Sequence, residues 1–320
     1  MQQRTFGRLG EISALSLGGG GTGGVWGPTS REEAAATVRE AVHAGISLLD
    51  VAPGYGDGES ERVIGEAFAG QLPDGVRVST KCNLGSPAAS EALPLMEASL
   101  NESLERMRLE WVDLLIWHSQ IRPDDSAGVE GTPRSLFSEV IVEAFERLVS
   151  KGRIGAWGIS GINVPSAILE TLEDGPAPSV VQAIANLLDS SGREAGYHQP
   201  SKGPTSPRGI ISTAQRYGIA VMGIRAVQAG ALTDSLDRDV PEGDPTMADF
   251  RRAGPFRALA REIGESPASL AHRYALSMNG VSTVVLGIKN RSELRECVAA
   301  EAMGPLDTEL ISRIDKAVAG

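Results

Sequence analysis

Short apolar runs recur along the chain, each followed after a loop by a longer stretch with apolar residues at helical spacing. That alternation predicts parallel strands joined by crossover helices. The predicted strands are Ala14 to Gly18, Ser47 to Asp50, Val76 to Lys81, Val112 to His118, Gly155 to Ser160, Val180 to Ala185, Ile219 to Gly223 and Thr283 to Leu286. Helix starts are marked by Ser30 before Arg31-Glu32-Glu33 and an Ala-rich run, and by Ser266-Pro267 before Ala268 to Met278. Eight strand-helix units in 320 residues predict an α/β fold, a (β/α)8 TIM barrel forming a single domain over 1–320, rather than two domains. Ahead of the first strand, Arg4 to Leu9 and Glu11 to Ala14 flank Gly10, a short β-hairpin placed to plug one end of the barrel. Three long loops rich in Gly, Pro and Ser follow strands rather than helices: Ser119 to Arg134, Leu187 to Arg208 and Arg225 to Asp249. They are expected to rise over the C-terminal face, where barrels of this kind assemble their sites.

Composition narrows the partner. Thirty Lys and Arg against 41 Asp and Glu give a formal charge of −11, which argues against a chain that coats nucleic acid or an anionic membrane and leaves a small molecule. At 41% hydrophobic and 22% charged, the chain can bury a sizeable core. No apolar stretch approaches the roughly eighteen residues of a membrane span, and Met1 to Phe6 lead into no signal-peptide apolar region, so a cytoplasmic location is expected. Cys82 and Cys297 are the two cysteines, too few for a disulfide scaffold or a multi-cysteine metal site, and no metal is expected. A closed barrel buries its own sheet edges, so the expected state is a monomer.

Gly18-Gly19-Gly20-Gly21-Thr22-Gly23-Gly24 follows the first strand with dinucleotide-fingerprint spacing at Gly18, Gly20 and Gly23, and Asp50 ends the next strand. The fingerprint needs a helix opening directly on the glycines, yet Val25-Trp26-Gly27-Pro28 intervene before any helix is expected to start. The better reading is a strand-to-helix loop that lets a ligand approach the backbone.

Four titratable groups collect at the C-terminal ends of three consecutive strands: Asp50, Tyr55 five residues on, Lys81 and His118. Singly they read as a helix cap, a loop aromatic, a surface charge and a core histidine. A lysine closing a buried strand needs a partner, however, and Asp50 on the neighbouring strand can supply it. Together they suggest proton transfer to a carbonyl oxygen. A phenol titrating at about 10 is a poor acid or base at neutral pH, but a nearby ammonium favours its phenolate. Lys81 would act so on Tyr55, Asp50 would keep Lys81 charged, and His118 would hydrogen-bond the substrate oxygen or relay the proton. A metal-dependent hydrolase built on Asp50, Asp113 and His118 is disfavoured, because Asp113 lies five residues from His118 on one strand and faces the other way.

The segment Leu48-Leu49-Asp50-Val51-Ala52-Pro53-Gly54-Tyr55-Gly56-Asp57-Gly58-Glu59-Ser60-Glu61, with Ile64-Gly65-Glu66-Ala67, resembles the first signature of the aldo-keto reductases, and the resemblance runs through Leu306. It implies a barrel that transfers hydride from a reduced nicotinamide to an aldehyde or ketone, with the catalytic tetrad on Asp50, Tyr55, Lys81 and His118. The cofactor residues it implies are Gly19, Gly20, Asp50, Ser160, Gln182 with Asn186, Ile224, Arg225, Leu232, Gly287, Lys289, Asn290, Glu293 and Cys297. Gly161 stands where an asparagine is usual, and Ile224-Arg225-Ala226-Val227 replaces a stacking tyrosine and Ser-Pro-Leu. Lys289 and Asn290 suit an adenosine 2′-phosphate and hence NADPH; Glu293 would repel that phosphate, which keeps NADH open. Substrate-binding residues are expected at Trp26, Tyr55 and His118, with Trp117, Tyr197 and His198 as further candidates for the pocket, and Cys82 facing away from Lys81. The leading expectation is an NADPH-dependent carbonyl reductase with Tyr55 as general acid. The Ala-Pro-x-Tyr-Gly form of the signature also resembles relatives that oxidise sugars at the anomeric carbon, which makes an NAD(P)-dependent aldose 1-dehydrogenase the alternative, followed by an NADP(H)-binding regulatory subunit.

Overall fold

Each predicted strand forms within a residue or two of its expected ends. The computed structural model describes residues 1–126, 130–162, 164–190 and 206–319. Strands β1 (Gln3–Thr5) and β2 (Glu11–Ser13) pair antiparallel, so the hairpin forms, but its first arm ends at Thr5 rather than Leu9 because Gly7–Leu9 coils into a 3-10 turn. Next come β3 (Leu15–Gly18), β4 (Leu48–Asp50), β5 (Arg77–Cys82) and β6 (Val112–Trp117). The loop after β6 carries a minor pair, β7 (Ile121–Arg122) and β8 (Thr132–Pro133). β9 (Ile154–Ser160), β10 (Val180–Ile184), β11 (Ala220–Ile224) and β12 (Thr283–Leu286) complete the set. The eight long strands close as β3-β4-β5-β6-β9-β10-β11-β12, with β12 pairing back to β3, all parallel.

The helical layer comprises α1 (Gly19–Thr22), α2 (Arg31–His43), α3 (Glu59–Phe68), α4 (Ala92–Met107), α5 (Arg134–Leu136), α6 (Val142–Ser150), α7 (Pro165–Glu173) and α8 (Pro207–Arg216). It ends with α9 (Pro245–Arg252), α10 (Gly254–Glu262), α11 (Pro267–Ser277), α12 (Arg291–Ala302) and α13 (Thr308–Val318). The predicted start signals act as caps: Ser30 Oγ accepts the Glu33 N–H at 3.1 Å and Ser266 Oγ the Ser269 N–H at 3.0 Å, satisfying donors that the first turn leaves unpaired. The expected loop from Arg225 to Asp249 is shorter than read, because Asp244 caps α9 and Pro245 opens it.

Alternation within each strand sorts side chains between the barrel interior and the helices. Inside, Leu48, Leu114, Ile116, Ala156, Val180, Ala220 and Met222 fill the lower layers, and Phe6 and Ile12 of the hairpin close them from below. Facing outward, Trp117 is fully buried against Phe137 and Phe145, while Phe145 stacks on Trp157 at 5.3 Å between ring centroids. Trp117 is therefore a pillar of the sheet-helix core and no wall of a pocket. A further cluster joins Leu187, Leu188 and Leu232, from the loops after β10 and β11, to Phe256, Leu270 and Ile314 of the C-terminal helices. It ties these three leucines to the body of the barrel.

Candidate active site

The interior alternation leaves polar residues at the C-terminal end of the barrel: Asp50 on β4, Ser79 and Lys81 on β5, Ser160 on β9 and Gln182 on β10. Registers align them, since Asp50 pairs with Ser79 and Gln182 with Ser160. Lys81 is 1% exposed and Asp50 2%, so each charge depends on the other for its solvation. Lys81 Nζ donates to Asp50 Oδ1 and Oδ2 at 2.9 Å each and to the Val51 carbonyl at 2.9 Å. The Asp50 carboxylate also accepts from Ser79 Oγ at 2.6 Å and from Gln182 Nε2 at 2.9 Å across the barrel. Ser79 is a site residue that only its place two residues before Lys81, on the same strand face, signals in the sequence.

Tyr55 completes the chain. The Lys81 ammonium hydrogen-bonds its hydroxyl and lies 4.8 Å from its ring centroid. The His118 ring meets Tyr55 edge to face, with centroids 5.9 Å apart and planes at 86°. Burial alone would pull the lysine pKa down, but the charge of Asp50 and the contact with Tyr55 outweigh it, and Lys81 titrates above its ordinary range. His118 is driven the other way, down to about 4, by burial first and by repulsion from Lys81 second. The site thus holds a charged ammonium and a neutral imidazole against one phenol, an arrangement suited to moving a proton at the tyrosine oxygen.

Residues outside the barrel wall hold these groups in place. Glu61 is fully buried and accepts from Thr80 Oγ1 at 2.5 Å and from Arg106 Nε at 2.6 Å, clamping β5 beside Lys81. Ser60 Oγ donates to the Ala52 carbonyl at 3.0 Å and steadies the turn that carries Tyr55. Asp113 faces outward, where its carboxylate accepts the Val78 N–H at 2.8 Å, so it does not join Asp50 and His118. Cys82 is likewise buried on the outer face, its thiol pushed up to about 12 by burial.

The glycine run corrects an expectation. A single helical turn, α1, opens directly after β3. The tight approaches here are between protein segments: a Cβ at Gly21 would lie 1.8 Å from the Ile288 carbonyl oxygen, and one at Gly23 would lie 2.8 Å from that of Tyr55. Glycines in this run let the loops after β3, β4 and β12 close on one another and so fix the backbone at Tyr55. A Cβ on Gly20 would meet the Trp26 indole nitrogen at 2.7 Å, and exposed Gly287 faces the same ring, so half-buried Trp26 lies between the ends of β3 and β12.

The other expected cofactor positions divide. Ser160 Oγ is buried without a hydrogen-bond partner among the described residues, beside Gln182 and one layer from Asp50. Such an orphaned hydroxyl suits a polar group entering from above the barrel, as a nicotinamide carboxamide would. Gly161 leaves no room for the usual asparagine, since a Cβ there would meet Val181 Cγ2 at 2.6 Å. Asn186 braces the loops instead, donating to the carbonyls of Ser190 and Arg225 and to Gln228 Oε1. Ile224 ends β11 half-buried, and Arg225 follows at φ +59° with its Nε donating to Gln228 Oε1 at 3.0 Å. Lys289, Asn290 and Glu293 gather at the start of α12. Two of the expected positions have buried side chains. Leu232 is wholly buried in its cluster with the C-terminal helices and gives its N–H to Val227, and the Cys297 thiol is packed between α11 and α12 at 3.8 Å from His272 Nε2. Tyr197 and His198 lie outside the described residues.

The model of the aldo/keto reductase family matches residues 14–319. The chain is similar to L-galactose dehydrogenase of Arabidopsis thaliana, at 28% identity over 98% of this chain and 93% of that protein. It is also similar to L-glyceraldehyde 3-phosphate reductase of Escherichia coli O157:H7, at 27% identity over 100% of this chain and 93% of that one. Among solved structures, an aldo-keto reductase from Bacillus halodurans in its holo form superposes with a TM-score of 0.74 at 22% identity, covering 99% of this chain and 96% of that one.

Proposed function

The chain belongs to the aldo/keto reductase family, and from that premise we propose that it interconverts a carbonyl and an alcohol with Tyr55 as the proton carrier. The observation that carries this reading is the continuous chain from Asp50 through Lys81 to Tyr55, with His118 against the same phenol. When bound, a nicotinamide dinucleotide supplies or accepts the hydride. Ser160 and Gln182 would hold its carboxamide end, and Gly287, Lys289 and Asn290 its adenosine end. In the direction of aldehyde or ketone reduction, Tyr55 donates its proton to the oxygen on which charge develops, and Lys81 stabilises the phenolate left behind. Asp50 keeps Lys81 charged through the step. Neutral His118 donates a hydrogen bond to the same oxygen and so orients the carbonyl.

The alternative direction, oxidation of an aldose at its anomeric carbon, uses the phenolate as base and needs no other residue. Likeness to L-galactose dehydrogenase over nearly the whole chain favours giving it equal standing. The intact tetrad argues for an enzyme rather than a regulatory subunit. The deciding experiment follows the reduced-nicotinamide absorbance in both directions, with reactive aldehydes and with free aldoses. Turnover with aldehydes assigns the reductase, and turnover with aldoses alone assigns the dehydrogenase. Silence in both directions with a bound dinucleotide rejects the proton-carrier reading.

A further inference from the structure

We propose that Asp237 and Glu293, by engaging Lys289, make this protein select a dinucleotide with a free ribose 2′-hydroxyl, NAD(H), over one with a 2′-phosphate. The inference rests on the coenzyme reading above and concerns its adenosine end. Lys289 and Asn290 are the groups that would be expected to meet a 2′-phosphate, yet both already donate to carboxylates. The Lys289 ammonium pairs with the Asp237 carboxylate and with Glu293 Oε1 at 3.5 Å. The Lys289 N–H donates to Glu293 Oε2 at 2.8 Å and Asn290 Nδ2 to Glu293 Oε1 at 3.2 Å. In return Asn290 Oδ1 caps α12 by accepting the Glu293 N–H at 3.0 Å. Glu293 is thus held as the acidic member of a reciprocal cap, and swinging its carboxylate away would unpair the Lys289 N–H and the Asn290 side-chain amide.

The neighbouring cations are committed as well. Arg291 forks onto Glu33, with Nη2 to Oε2 at 2.8 Å, and Arg238 pairs with Asp237 at 3.2 Å while donating to the Ala229 carbonyl at 2.8 Å. A phosphate carrying nearly two negative charges would have to break an existing pair and then sit beside a fixed carboxylate. A ribose hydroxyl faces the opposite situation, because a carboxylate is the acceptor it needs. Asp237 comes from the loop after β11 and Glu293 from the first turn of α12, so the discriminating pair is assembled across two segments far apart in sequence.

The test is direct binding of NADH and NADPH to the purified protein, by calorimetry, with Glu293→Gln, Asp237→Asn and the double variant alongside. Wild type is expected to bind NADH tighter by about tenfold or more, and the amide variants, which keep the shape of the cap, to close that gap mainly by binding NADPH better. Equal or tighter binding of NADPH by wild type overturns this inference and leaves the coenzyme reading intact, with no variant needed. An unchanged NADPH affinity in the double variant, if NADH still binds, overturns the assignment to these two carboxylates. Failure of both dinucleotides to bind wild type removes the coenzyme reading itself and the inference with it.

Discussion

Lys81 Nζ stands 2.9 Å from both carboxylate oxygens of Asp50, with neither residue more than 2% exposed. The pair ties two adjacent strands at the point where the barrel opens, and its ammonium is the group that touches Tyr55. Its energetics differ from those of a surface bridge. Removing one partner leaves a full charge in the interior, whereas removing both leaves none.

A double-mutant cycle reads this directly. Asp50→Asn is expected to destabilise the fold by about 3–5 kcal/mol, because Lys81 is then buried without its counter-ion. Adding Lys81→Met should recover much of that loss, so the double variant costs less than the sum of the two single changes. Urea melts of the four proteins measure the coupling.

Tyr55→Phe is expected to lower the chemical step by about 10² or more. Dinucleotide affinity should stay within a few-fold, since the phenol touches Lys81 and His118 rather than the Ser160 end of the site. Single-turnover absorbance traces separate the two quantities.

His118 makes stability depend on pH in a defined window. Its folded-state pKa is lowered to about 4 by burial and then by Lys81, whereas an unfolded imidazole titrates at about 6.5. Between those values the unfolded chain takes up a proton that the folded one refuses. Stability therefore falls as the pH drops from about 6.5 toward 4, by on the order of 3 kcal/mol at the lower end, and is regained above 6.5. His118→Gln should make the midpoint of thermal unfolding less steep across that range, leaving the share of buried His272, whose pKa burial also lowers, and an unchanged slope would show that the His118 imidazole is not held neutral.

Ser160→Ala should move two properties in opposite directions. Removing a buried hydroxyl with no partner among the described residues is expected to raise the stability of the free protein by about 1 kcal/mol. The same change should weaken dinucleotide binding by about five- to tenfold through one lost hydrogen bond. Stability and affinity falling together would place Ser160 in the scaffold and not in the cofactor site.

Gly21→Ala tests the loop junction above the barrel. The new methyl would stand 1.8 Å from the Ile288 carbonyl oxygen, and backbone on both sides must give way. A loss of about 3 kcal/mol or more is expected, with reduced turnover because the same junction sets the Tyr55 backbone. A variant as stable as wild type would mean that the loops are not locked as the structure has them.

Much of the architecture was legible because strand periodicity is local. Runs such as Val180 to Ala185 announce a strand from neighbouring residues alone, and period-2 alternation already puts Ser79 with Lys81, apart from Cys82, on one face. The caps at Ser30 and Ser266 were readable for the same reason, since a cap is settled within four residues. Trp117 was harder: alternation turns it outward, but only the packing of Phe137 and Phe145 shows that it belongs to the core.

By itself, the sequence determined the eight strand-helix units, the resemblance to a reductase barrel and the four residue types of the tetrad, all carried by short stretches whose meaning depends on nearest neighbours. Tertiary structure alone decided what those groups meet: Gln182 reaching across the barrel to Asp50, the Ile288 carbonyl forbidding a side chain at Gly21, Cys297 turned into a helix interface, and Asp237 brought to Lys289 from 52 positions away. Each of those relations is set by closure of the sheet and by the paths of the loops over its rim, which bring together residues that no local period relates.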